Sequence, residues 1–227
     1  NYYSKILFSW TGETSYGRII DRPTNIEFNK DLVTIELKGL DDYEDLQNAL
    51  LLLFTDYIKR AASEDLSRST LLIIDEAWKL FETKSGKDFT IEAYRTFRKF
   101  NSGIWAISQN YKDFLANDEI ANSILPNTTH LFILKQRKID WDDFSKTFDF
   151  NSSQTESIKG LELKKGVFSE FYYLQDENEA VLRLIPDPLS YWICSSDGHD
   201  KKVLASKIES NPEKPLIDHL VDLAKEN

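Results

Sequence analysis

The chain has 227 residues, 41% of them hydrophobic and 29% charged, the composition of an ordinary soluble globular protein with one sizeable core rather than two. Its 38 acidic against 28 basic side chains give a formal charge of -10, which argues against unspecific clamping of nucleic acid, since that needs clustered Lys and Arg; only a local basic channel made in an oligomer stays open. One cysteine, Cys194, and three histidines leave neither an internal disulfide nor a metal-ligand cluster, so a reducing cytosolic setting is expected, and the longest apolar run, 49–54, is far below the ~20 residues that cross a bilayer.

In chain order, residues 1–30 hold Thr11-Gly12-Glu13-Thr14-Ser15-Tyr16-Gly17 and Arg22-Pro23-Thr24-Asn25 and read as a loop-rich lead-in around short extended pieces. The chain opens with no signal-peptide pattern and contains no Met, so it reads as the carboxyl-terminal part of a longer domain. Residues 32–37 are β-rich and end at Lys38-Gly39, which predicts a strand. A helix follows from Asp42, capped by Asp41 or Asp42, with Leu46, Leu50, Leu53, Phe54, Tyr57 and Ile58 at helical spacing. Residues 71–74 form the next strand. A loop with Lys84-Ser85-Gly86-Lys87 precedes a helix over 88–100 that stops at Asn101-Ser102-Gly103.

A third strand covers 104–108, a short helix 118–125 closes at Pro126-Asn127, and a fourth strand covers 130–134. Strand and helix alternate, and right-handed crossovers between parallel neighbours are the simplest connection. The expected class is therefore α/β, a RecA-like core with a mostly parallel sheet flanked by helices over 31–135. Beyond it, short helices are predicted at 140–148 and 153–159, a β-hairpin at 168–174 and 180–185, a further strand at 191–195, and helices at 200–209 and 215–224. The whole chain reads as a single domain, with 136–227 as its carboxyl-terminal strands and helices.

The chemistry concentrates in Leu71-Leu72-Ile73-Ile74-Asp75-Glu76-Ala77-Trp78. Four apolar residues followed by two carboxylates match a buried parallel strand delivering acids to a site at its carboxyl end. This is a Walker B pattern, in which the Asp holds Mg2+ through water and the Glu polarises the attacking water. The plainer alternative is a helix-capping Asp beside a solvated Glu. Gln109 follows the third strand as Glu76 follows the second, which suits a sensor amide, or simply a loop residue. Arg95, Arg98 and Lys99 close the helix before that strand, either as arginine fingers toward a neighbouring subunit's phosphates or as cations that suit a helix carboxyl terminus. No segment fits Gly-x-x-x-x-Gly-Lys-Ser/Thr, since Gly12 to Gly17 lacks the lysine. This polypeptide is accordingly expected neither to bind ATP tightly nor to turn it over by itself.

Together with Tyr94-Arg95-Thr96-Phe97-Arg98-Lys99-Phe100, Trp105-Ala106-Ile107-Ser108-Gln109-Asn110, Ile124-Leu125-Pro126-Asn127-Thr128 and the stretch 163–171 with Gly166, the Asp75-Glu76 segment resembles the TraC-like conjugative-transfer ATPases of type IV secretion systems. The resemblance covers roughly residues 16–195. It implies a RecA-like, homo-hexameric motor of the HerA and FtsK group that uses ATP and Mg2+ at the cytoplasmic face of the inner membrane. Such a motor would work with inner-membrane and coupling components to energise pilus assembly or substrate transfer. It also implies that Asp75 and Glu76 are the Walker B pair, that Arg98 with Lys99 belongs to the arginine-bearing motif, and that Gln109 is the sensor. Two other functions fit parts of the pattern. Asp-Glu-Ala-Trp is close to a helicase box, which suggests a DNA helicase or translocase, although Ser108-Gln109 stands where such helicases carry a Ser-Ala-Thr type motif. A non-catalytic docking module with an ATPase fold is the third reading.

Overall fold

The structure is a computed structural model that describes residues 2–23, 30–37, 39, 40 and 42–226, apart from the side chains of Tyr2 and Tyr3. The chain divides into two compact units, residues 1–127 and 128–227. Thr24, Asn25, Lys38 and Asp41, named above for turns, a strand end and a cap, lie outside the described residues.

In the first unit, α1 (Tyr2–Phe8) and α2 (Gly17–Ile20) replace the extended pieces expected in the lead-in. The turn-rich stretch between them is tied by Thr14, whose hydroxyl donates to the Ser9 carbonyl (2.8 Å) and accepts from the Gly17 N–H (3.1 Å). The strand expected at 32–37 does not form: those residues make no ladder, and Leu32 is 85% exposed. β-propensity measures fit to a pleated, half-buried surface, and without a neighbouring strand it has nothing to act on. α3 (Glu44–Glu64) starts after Tyr43 with no side-chain cap, so Asp42 does not fill the role foreseen for it.

β1 (Thr70–Ile74) leads into α4 (Trp78–Glu82) and α5 (Lys84–Thr96). The loop foreseen at 84–87 is instead the first turn of α5, because the Thr83 hydroxyl accepts from the Gly86 N–H (3.1 Å) and caps the helix. A 3-10 turn, Phe97–Phe100, then ends on Asn101 in the left-handed conformation, φ 51°. That releases the chain into β2 (Ser102–Ala106) two residues earlier than foreseen. β1 and β2 are parallel, in register from Thr70 opposite Ser102 to Ile74 opposite Ala106. One face of the pair, through Leu72 and Ile104, packs on Phe89, Ala93 and Phe97 of the α5 segment, against which Ile58 of α3 also packs. The alternate residues Leu71, Ile73, Trp105 and Ile107 are about half exposed. A second 3-10 turn (Tyr111–Leu115), α6 (Asp118–Ile124) and a third (Leu125–Asn127) complete the unit.

The second unit begins with β3 (His130–Leu134), expected as the next parallel neighbour in the core. It pairs antiparallel instead, His130 opposite Gln175 and Leu134 opposite Phe171. After α7 (Trp141–Phe148), α8 (Ser152–Lys159) and β4 (Leu163–Lys164) come β5 (Phe168–Gln175) and β6 (Asn178–Leu184), the foreseen hairpin. α8 carries a full capping box between Asn151 and Gln154. Phe144, Phe150 and Tyr172 are buried with their rings in contact, and Ile158 and Leu161 are buried as well. The strand expected at 191–195 lies in a helix, α9 (Pro188–Cys194), because Asp187 caps it through the N–H groups of Leu189 and Ser190 and Pro188 fits the first helical position. α10 (Gly198–Ser210) and α11 (Leu216–Glu226) follow, with Trp192, Leu220 and Leu223 at the centre of the helical cluster.

Two expected outcomes follow from this packing. A Cβ on Gly86 would lie 2.5 Å from the Leu80 carbonyl oxygen and 2.8 Å from the Thr83 hydroxyl. Gly86→Ala should therefore prise α4 from α5 and cost about 1–3 kcal/mol in urea unfolding. In the second unit, burial and the Glu179 carboxylate that accepts the Tyr172 hydroxyl (2.5 Å) push the Tyr172 phenol from 10.0 up to about 12. A raised folded value means that the stabilisation is whole below about pH 10 and is lost as the pH climbs toward about 12. Urea midpoints at about pH 9 and about pH 11 should fall more for the natural chain than for Tyr172→Phe.

Candidate functional site

The site grows from the register of β1 and β2. Past the strand ends the ladder continues for two bonds, Ile107 N–H to the Ile74 carbonyl and Ala77 N–H to the Ile107 carbonyl, each 2.9 Å. Ala77 is fully buried. With Ile74 and Ala77 both anchored to Ile107, the two residues between them are pushed out as a turn over the carboxyl edge. Glu76 takes φ 50° there, a left-handed conformation that costs a non-glycine residue about 1 kcal/mol or more. Asp75 supports the turn, its Oδ1 accepting from the Glu76 N–H (3.0 Å).

Both oxygens of the Glu76 carboxylate are engaged. Oε1 accepts from the Gln109 side-chain amide, and Oε2 accepts from the Trp78 indole N–H at 2.8 Å. Gln109 is held from both sides in sequence: the Ser108 hydroxyl donates to Asp113, and the Asn110 side chain caps the Tyr111–Leu115 turn through the Lys112 N–H (3.1 Å). Asp75, Glu76 and Gln109 thus stand together at one edge, with Asp75 and Gln109 exposed and Glu76 half-buried. A carboxylate beside a primary amide can share one water between an acceptor and a donor, an arrangement that suits general-base activation of water. Asp75 points exposed carboxylate oxygen at solvent, a donor suited to a hard cation such as Mg2+.

The three cations are not part of this group. α5 carries the chain back to the amino end of the strand pair, roughly 15 Å away over five residues of strand. Arg95, in the last turn of α5, donates to the Ser123 hydroxyl of α6 (2.7 Å) and lines an open cleft of about 560 Å³ with Asp88, Glu92, Asp118 and Glu119. Arg98 and Lys99 sit exposed on the 3-10 turn that leads into β2. Arg95 and Arg98 therefore do not share one helix face, because the α-helix ends at Thr96 between them.

Sequence reasoning missed Trp78 and Asp113. The first had a signal, a tryptophan two residues after the Glu on a turn tight enough to fold back; the Ser108 to Asp113 spacing had none. It also missed that Asp197, His199 and Asp200 come within 4.8 Å of one another. Their oxygens already serve the fold. Asp197 caps α10 and pairs with Lys165 (2.6 Å), while Asp200 accepts from Tyr191 and Ser195, both 2.6 Å. Those two hydroxyl contacts, from Ser195 and then Tyr191, hold the Asp200 carboxyl below its ordinary range. Among the described residues no helix is long and apolar enough to cross a membrane.

In sequence, the family model of the TraG P-loop domain matches residues 3–215. Protein TraC of Escherichia coli (strain K12) is 29% identical over 212 residues, which are 89% of this chain and 24% of that protein. The type IV secretion system protein virB4 of Bartonella quintana (strain Toulouse) is 24% identical over 179 residues, 78% of this chain and 22% of that protein. The chain thus spans less than a quarter of the length of these relatives. Among solved structures, VirB4 of Thermoanaerobacter pseudethanolicus aligns with a TM-score of 0.61 at 21% identity, covering 82% of this chain and 50% of that one. The α/β fold expected from the alternation of strands and helices is the fold this chain shares with it.

The separate placement of the two arginines predicts separate behaviour. Arg95→Ala should lower the stability of the first unit by about 1–2 kcal/mol and speed amide exchange over residues 118–124. Arg98→Ala should stay within about 0.5 kcal/mol of the natural chain in the same urea titration.

Proposed function

We propose that this chain, which belongs to the TraG P-loop domain family, is part of an ATP-hydrolysing motor of a type IV secretion or conjugation system that energises pilus assembly or substrate transfer. The observation that carries the reading is the contact between Glu76 and Gln109 at the carboxyl ends of two parallel strands, where α/β folds bind their ligands. Both compact units then belong to one ATPase domain. Gly-x-x-x-x-Gly-Lys-Ser/Thr does not occur in these 227 residues, so the phosphate cradle of the motor comes from outside them.

ATP supplies the phosphoanhydride to be broken, and Mg2+, when bound, would neutralise charge on its phosphates. The residues of this chain do the rest. Asp75 would hold the cation, and Glu76 takes a proton from the attacking water at its carboxylate. Gln109 orients that water and, by gaining or losing its contact with Glu76, reports the state of the site to the Tyr111–Leu115 turn. Arg98 and Lys99, with Arg95 behind them, act across the subunit boundary of a homo-hexamer. The motor works at the cytoplasmic face of the inner membrane with the inner-membrane and coupling components of the secretion system. The formal charge of -10 gives no support for DNA as a direct partner.

The test is Mg2+-dependent ATP turnover by the full-length protein that contains these residues, beside Glu76→Gln. Turnover should fall about a hundredfold or more in the variant while nucleotide binding persists. Full activity in Glu76→Gln would rule the assignment out.

A further inference from the structure

We infer that Trp78 is a positioning residue that fixes which oxygen of Glu76 serves as the base; this deepens the proposed function and rests on it. The geometry is asymmetric. An indole N–H can only donate, and it keeps its proton at every working pH, so a carboxylate oxygen bound to it stays committed as an acceptor. Trp78 commits Oε2 at 2.8 Å. Oε1 faces Gln109, an amide on an exposed side chain that can exchange its place with water. The base is therefore Oε1, and Trp78 prevents the carboxylate from rotating to present the other oxygen.

The turn makes this control necessary. Glu76 sits at φ 50° on an extruded turn, and its side chain is only half-buried. Trp78, by contrast, opens α4 directly after the buried Ala77. The indole is thus attached to the anchored part of the backbone and the carboxylate to the strained part. The Lys79 ammonium lies 5.8 Å from the centre of the Trp78 ring, and a cation near the ring strengthens the N–H as a donor.

Two measurements test the inference. In the full-length protein labelled with 15N-tryptophan, one indole N–H resonance should move upfield in Glu76→Ala; indole resonances that all stay unchanged would overturn the clamp whatever the kinetics show. In the full-length protein, Trp78→Phe keeps an aromatic ring and removes the donor. Its kcat should fall about tenfold to a hundredfold, with KM for ATP within about twofold of the natural value, the signature of lost transition-state positioning. If Glu76→Gln abolishes turnover and folded Trp78→Phe retains full kcat, the positioning role fails and the proposed function stands. If Glu76→Gln is fully active, both fail.

Discussion

The parallel register of β1 and β2 is the constraint from which the rest of the first unit follows. It ends both strands at one level, so that what comes after Ile74 and what comes after Ala106 emerge side by side. Anchoring both Ile74 and Ala77 to the single residue Ile107 leaves no room for Asp75 and Glu76 in the ladder. They turn outward, and Glu76 accepts a left-handed backbone to do so. A carboxylate placed on a relaxed strand would alternate to one face or the other. The extruded turn instead sets two adjacent acids over the same edge, each free to take a different role.

The register itself is held from one side. Leu72 and Ile104 pack on Phe89, Ala93 and Phe97, and the last two of these are 0% and 2% exposed. The crossover that carries them is capped by Thr83 at one end and released by Asn101 at the other. Core and site are thus joined through few residues, since α5 both buries the sheet face and fixes where β2 begins. The second unit has a different logic. Its antiparallel sheet is sealed by aromatic packing around Tyr172, and its polar cluster at Asp200 ties the first turn of α10 to Tyr191 and Ser195.

What was legible in the sequence was whatever a short window decides. Four consecutive apolar residues ahead of Asp75 mark a strand that ends at a polar edge, and Gln109 in the matching place after the next strand could be read by analogy of position. Windows failed where a distant partner decides. Residues 32–37 have strand composition and find no ladder, while 130–134 has the same composition and pairs antiparallel with a strand almost forty positions later. Residues 191–195 look like a strand until the Asp187-Pro188 start just outside them is weighed. At the site, the types of Asp75, Glu76 and Gln109 were readable, but the conformation that joins them was not. A positive φ at a glutamate has no composition signature, because it is imposed by the two hydrogen bonds on either side.

The same register bears on the cations. Arg98 and Lys99 lie at the amino end of β2 because the helix before it must return there to start a parallel strand. Glu76 and Gln109 lie at the carboxyl end because the strands run the same way. The two sets are thus kept apart by the full length of the strand pair, and no side-chain motion within one subunit brings them to one phosphate. In the proposed ring, each subunit meets the next through unlike surfaces, so the amino-end cations of one can complete the carboxyl-end site of another. A parallel strand pair with acids at one end and exposed arginine and lysine at the other is, on this view, half of a site twice over. Arg95 stands behind the other two in that scheme, since its guanidinium also links α5 to α6 through Ser123.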